Sequence, residues 1–147
     1  MRLYADDGFD EDLQRLADDP LTAQDAVRIK ALTDQIDESE DALWSLIQRD
    51  GEHPDPLFSV KAVAWMNAAG YNISRIRFHN VGLSRYRILI CYDNEYDDFY
   101  LLAIVVKDLQ IAYDGNEPYH LYDYERDHLV TRRMLADYDR LGVPKIR

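Results

Sequence analysis

The sequence predicts an α+β fold in which N-terminal helices pack on an antiparallel β-sheet and an extra C-terminal helix follows. Three observations carry this. Between Asn72 and Lys107, three β-branched and aromatic runs follow one another across short polar turns, the pattern of a meander. Ahead of them, apolar residues recur at spacings of three and four, the period of a helix face. Behind them, Val130, Met134, Tyr138 and Leu141 repeat that spacing. Consecutive strands with helices segregated from them place the chain in the α+β class.

Arg2-Leu3-Tyr4 reads as a short first strand. Phe9, Leu13 and Leu16 then share one face of a short helix that starts near Asp10 and that Pro20 ends. Thr22 followed by Asp25 resembles a helix start, with the hydroxyl placed to accept a backbone N–H and an acid set against the helix dipole. Ile29, Leu32, Ile36, Leu43, Leu46 and Ile47 keep an apolar stripe over Thr22–Arg49, with a break near Ser39. Gly51-Glu52-His53-Pro54-Asp55-Pro56 interrupts it, because proline fixes φ and restricts the residue before it. Ser59–Ala69 reads as a short helix with Val60, Val63, Ala64 and either Trp65 or Met66 inward, closed by Gly70.

The sheet follows. Ile73–His79 and Tyr86–Asp93 form a hairpin around Val81–Arg85. Asp93–Asp98 is a second, acidic turn, and Phe99–Val106 is apolar without interruption, as expected of a strand buried on both faces. After the loop Asp114–Pro118 and the tyrosine-rich Tyr119–Tyr124, a last helix starts with Asp127 as N-cap and ends at Gly142 and Pro144. The 147 residues thus divide into a helical part (9–69), a sheet core (72–113) and a C-terminal extension (117–147) of one domain. That length buries an ordinary core without disulfides or metals.

Charge is distributed unevenly. Residues 1–57 hold 5 Lys/Arg against 16 Asp/Glu, residues 58–90 hold 5 against none, and residues 91–147 hold 7 against 12. The acid-free stretch is 58–90, and its second half is most of the central hairpin. Successive side chains of a strand point to opposite faces, so Ile73, Arg75, Arg77 and His79 share one face, and Ile76 and Phe78 share the other. Arg75 and Arg77 are then either a binding surface or a solvated face paired with acids from the helices. Strand parity alone leaves Arg87 on either side of its strand.

Several classes are disfavoured. A net charge of −11 argues against nonspecific nucleic-acid binding, so any such role is local to the basic stretch. Met1–Asp10 is acidic and lacks the apolar run of a secretory leader. Phe99–Val106 is far shorter than the roughly 20 residues a membrane helix needs, so no membrane partner is expected. The one cysteine, Cys91, cannot form an internal disulfide, which suits a reducing cytoplasm. No Gly-rich phosphate loop, nucleophile elbow or carboxylate pair is present. His120 and His128 lack ligand spacing, so neither a metal nor another cofactor is expected.

The run Ser74-Arg75-Ile76-Arg77-Phe78, a turn, Tyr86-Arg87-Ile88-Leu89-Ile90, an acidic turn, and an apolar strand ending in Lys107 with Tyr113 six residues on resembles the RelE/ParE superfamily of bacterial toxins, and its RelE-like branch in particular. The likeness covers about Phe58–Asp114 closely and Arg2–Arg49 loosely. The chain departs from that pattern in a longer helical region, the added 117–147 segment and its acidity. The resemblance implies helices on a curled antiparallel sheet, and a bacterial, cytoplasmic toxin that cuts ribosome-bound mRNA without a metal and is neutralised by a cognate antitoxin protein. It places Arg75, Arg77, Arg87, Lys107 and Tyr113 at the cleavage site. The superfamily's ParE branch acts on DNA gyrase without cutting RNA, so a protein-binding member without nuclease activity is the alternative.

Cleavage by the RNA's own 2′-OH needs a proton acceptor, cations on the phosphate and a donor for the leaving oxygen. Guanidinium forks of Arg75, Arg77 and Arg87 suit the phosphate. Lys107 and Tyr113 are candidate proton carriers if their pKa values are shifted. His79 is the alternative base, since imidazole titrates near neutrality unaided.

Overall fold

The computed structural model describes residues 1–47, 54–80, 82–107 and 118–146. In chain order its elements are β1 (Leu3–Ala5), α1 (Asp7–Asp18), α2 (Ala23–Asp37), α3 (Glu40–Ser45), β2 (Phe58–Ala62), α4 (Ala64–Ala68), β3 (Ile73–Phe78), β4 (Tyr86–Asp93), β5 (Asp98–Val106), β6 (His120–Leu121) and α5 (Leu129–Leu141). The fold is α+β, with helices packed on an open, mixed sheet.

Strands β2 to β5 form an antiparallel meander in the order β5-β4-β3-β2. On the outer edge of β5, β1 and β6 both run parallel to it, β1 along Phe99–Leu101 and β6 along Val105–Val106. The pairing of β4 with β5 shifts between Leu89, opposite Ala103, and Ile90, opposite Leu101. The extra residue, Leu102, makes a β-bulge, so Leu102 and Ala103 both turn toward one side of the sheet.

Both faces of the sheet are covered, which accounts for the unbroken apolar run of β5. Ile76, Phe78, Ile88, Ile90, Phe99, Leu101 and Ile104 pack against Phe9, Leu16, Ile29, Ile36 and Leu43 of α1 to α3. On the other face Ile73, Leu89, Cys91, Ala103 and Val105 pack against Met66 of α4 and Val130, Met134 and Tyr138 of α5. Each large apolar side chain buried this way contributes about 1.5–3 kcal/mol.

Four local expectations are corrected. Residues 58–62 are a strand, because Phe58 and Val60 turn to the core while Ser59 and Lys61 face out, the two-residue period of a pleat; only Ala64–Ala68 is helical. Thr22 does precede α2, but its hydroxyl donates to the Leu16 carbonyl at 2.7 Å and does not cap the helix. The first helix starts at Asp7, three residues ahead of Asp10. The last is capped by His128, whose Nδ1 accepts the Val130 N–H at 3.0 Å, leaving Asp127 exposed. The break at Ser39 is present, and Ser39 Oγ accepts the Ala42 N–H to start α3. Gly142 ends α5 with φ of 72°, a left-handed cap.

Candidate nucleic-acid interface

The alternation of β3 places its arginines. Ile73 is buried beneath α4 and α5, and Arg75 and Arg77 follow on the same face two and four residues later. β4 settles the position of Arg87. Arg87 shares parity with Leu89 and Cys91, which lie in the core under α5, so Arg87 belongs to the arginine face. One side of the sheet is thus apolar under α5 and cationic farther along the same strands.

The three guanidinium groups act on one another. The Arg87 pKa is depressed below its ordinary value first by burial, then by the charges of Arg77 and Arg75. Arg87 spends one nitrogen on backbone carbonyls, Ser84 at 2.6 Å and Tyr86 at 3.0 Å. Its Nε is buried without a hydrogen-bond partner among the described residues. Among those residues Arg75 and Arg77 make no ion pair. The acids of α1 to α3 lie across the sheet, so the pairing of this face with helix carboxylates does not occur there.

Beside Arg75 is a cleft of about 360 Å³, walled by Lys61, Arg75 and Lys107, by the aromatic rings of Trp65 and Tyr124, and by Ala62, Val63 and Ala64. No carboxylate of the described residues lines it. Asp123 stands next to it, 3.8 Å from Lys107 Nζ. The indole N–H of Trp65 donates to the Tyr124 carbonyl at 2.9 Å, tying α4 to the segment between β6 and α5. Arg126 from that segment lies over the indole, 4.3 Å from the ring centre. Tyr124 is held at φ of 61°, a left-handed backbone that costs a side-chain-bearing residue on the order of 1 kcal/mol. Its hydroxyl is buried without a partner among the described residues, and burial raises its pKa against the opposing pull of Arg75 and Arg87.

The expected site residues are therefore partly assembled. Arg75 and Lys107 line the cleft, and Arg77 and Arg87 extend the cationic surface beside it. His79 stands apart. It follows the last residue of β3, is exposed, and its Nδ1 is 3.2 Å from the Pro56 carbonyl. At about 3.3 Å of rise per residue it is roughly 13 Å along the strand from Arg75. Tyr113 lies outside the described residues, as do Gly51–His53 and most of the loop Asp114–Pro118. Trp65, Tyr124 and Lys61 were not among the expected site residues. Lys61 could have been found in the acid-free stretch, whereas Tyr124 carries no local signal that places it against Arg75. Among the described residues no three His, Cys, Asp or Glu side chains are grouped to hold a metal ion, and no helix is long and apolar enough to cross a membrane.

Comparison of the chain with protein-family models, curated proteins and solved structures finds no match. The likeness to RelE-like toxins accordingly rests on the order and spacing of the motifs quoted above. Chemically, the described lining of the cleft combines cations with aromatic rings, groups that complement an anion carrying a flat ring. Guanidinium and ammonium groups meet phosphate, and the indole and phenol rings offer faces to a base.

Proposed function

We propose that this face binds single-stranded RNA and that the chain is a RelE-like toxin, a ribosome-dependent mRNA endoribonuclease held in check by an antitoxin protein in the cytoplasm. One observation carries the reading: in a protein of net charge −11, Arg75, Arg77 and Arg87 converge with no carboxylate partner among the described residues, beside a cleft whose described lining holds two further cations, two aromatic rings and no acid. Burial of Arg87 beside the charges of Arg77 and Arg75 costs stability, and an anionic ligand recovers part of that cost. In the reaction the 2′-hydroxyl gives its proton to water as its oxygen attacks the phosphorus, Arg75 and Arg87 hold the non-bridging oxygens, and Lys107 donates a proton to the leaving 5′-oxygen as the P–O5′ bond breaks.

Tightly induced expression in a bacterium, wild type beside Arg75→Ala, tests this. Growth arrest with new mRNA 5′ ends, both lost in the variant, is the expected result. Arrest that persists unchanged in a folded Arg75→Ala protein would overturn it.

A second reading is a protein of similar fold that docks another protein without cutting RNA, as ParE-like members do. The position of His79 favours it, because the one imidazole expected at the site lies away from the cleft and the described lining residues include no ordinary general base. Normal growth with abundant soluble protein, and a stable complex with one cellular protein, is its signature.

A further inference from the structure

We infer that Trp65 is the stacking platform of a nucleobase subsite at the mouth of the cleft, specific for an unpaired base and occupied by Arg126 when no nucleic acid is bound. The inference rests on the single-strand reading of the cleft and adds to it a residue, a contact and a ligand group.

Trp65 is half-buried at the start of α4, and its ring is fixed by the hydrogen bond from Nε1 to the Tyr124 carbonyl. The next residue, Met66, is fully buried in the core, so the backbone that carries the indole is anchored. One face of the ring lies under the Arg126 guanidinium. Arg126 is exposed and has no hydrogen bond or carboxylate partner among the described residues, so only the indole holds it there.

A planar cation on an otherwise accessible indole marks a surface suited to a planar π system. Magnitudes decide which occupant wins: an exposed cation–π contact is worth about a two- to fivefold factor, and a base stacked on an aromatic side chain about five- to hundredfold. A base therefore displaces Arg126, and the freed guanidinium becomes available to the next phosphate. Arg75 and Lys61 on the same cleft wall hold the backbone of the nucleotide whose base is stacked.

Two tryptophans, Trp44 and Trp65, are present, so a Trp44→Phe protein reports on Trp65 emission alone. The probes are a short 2′-O-methyl uridine oligomer, which cannot be cut through its 2′ position, and an abasic oligomer of equal length. The uridine oligomer is expected to quench Trp65 saturably, and the abasic oligomer to bind without quenching. Trp65→Leu should weaken uridine-oligomer binding at least about fivefold while leaving abasic binding unchanged, and Trp65→Phe should restore most of the loss. Equal quenching by both oligomers, or unchanged binding in Trp65→Leu, overturns the subsite. Arg75→Gln separates the two ideas. If it weakens both oligomers while Trp65→Leu weakens neither, the cleft stands without a base subsite; if it weakens neither, the cleft reading itself fails.

Discussion

Arg133 on α5 meets Asp12 on α1 through two hydrogen bonds, 3.0 and 2.7 Å, in the gap that β1 and β6 leave along the edge of β5. The same carboxylate accepts the Ile104 N–H at 2.9 Å, and Arg133 reaches the Leu102 carbonyl at 3.3 Å. Two helices on opposite faces of the sheet thereby complete a stretch of strand edge that no strand among the described residues covers. Burial alone would raise the Asp12 pKa, but hydrogen bonds from His120 and Arg133 outweigh it and hold the carboxyl below its ordinary value. Breaking a buried pair from one side leaves the other charge stranded, so Asp12→Asn should cost about 3–5 kcal/mol in urea unfolding at pH 7. A depressed carboxylate pKa contributes stability above its unfolded value of about 3.9 and loses it as pH falls through the lower folded value. The gap between wild type and Asp12→Asn should therefore narrow below about pH 4. A gap independent of pH would show that Asp12 acts by shape and not by charge.

Gly8 is part of the same arrangement. It sits in the first turns of α1, where alanine is ordinarily better than glycine by about 1 kcal/mol. A Cβ there would meet Arg133 Nε at 2.7 Å and the Leu102 carbonyl oxygen at 3.0 Å. The second contact is the backbone of β5 at its bulge and cannot yield cheaply. Gly8→Ala should lower the melting temperature despite its helix propensity, and a rise would mean that Arg133 has a second place to lie.

The sheet was more legible in the sequence than the edge network or the cleft. Alternation and apolar runs are local, so the meander, the buried β5 and the cationic face of β3 could be read from Ile73–Phe78 and Phe99–Val106. The break at Ser39 and the stop at Gly142 were legible for the same reason. β2 was misread because Phe58-Ser59-Val60-Lys61-Ala62 is short and runs into a helical turn, so its apolar residues fit either period. The Asp12–Arg133 pair joins residues far apart in the chain, and no pattern within either helix announces it. Tyr124 lines the same cleft as Arg75 although the two are far apart in the chain, so no local pattern announces that either.

The unpaired arginines make a prediction about salts. Arg75, Arg77 and Arg87 repel one another across a partly buried surface, so a bound oxyanion should stabilise the native state. At a phosphate concentration tenfold above Kd the gain is about 1.4 kcal/mol, a rise of roughly 4 °C in Tm for a chain of this size. Chloride at matched ionic strength should do less, because it lacks the paired oxygens a guanidinium fork engages. Arg75→Gln should remove the difference between the two salts. Equal stabilisation by both in the wild type would mean general screening without a site.

Cys91 offers a direct view of the second core. It lies in β4 opposite Ile73 and Tyr100, fully buried, and burial, reinforced by the charge of Asp6, pushes its thiol pKa well above the ordinary range. The thiolate is the reactive species, so native protein should resist a disulfide reagent at pH 8 and expose its single thiol only on opening. Met134 packs in the same cluster from α5, and Met134→Ala should cost about 2–5 kcal/mol. If Cys91 is exposed only by global unfolding, its labelling rate should rise by at least about thirtyfold in that variant, the factor equivalent to 2 kcal/mol. Labelling that is already fast in the wild type, or unmoved by the substitution, would show that the layer under α5 opens by itself while the rest of the sheet stays folded.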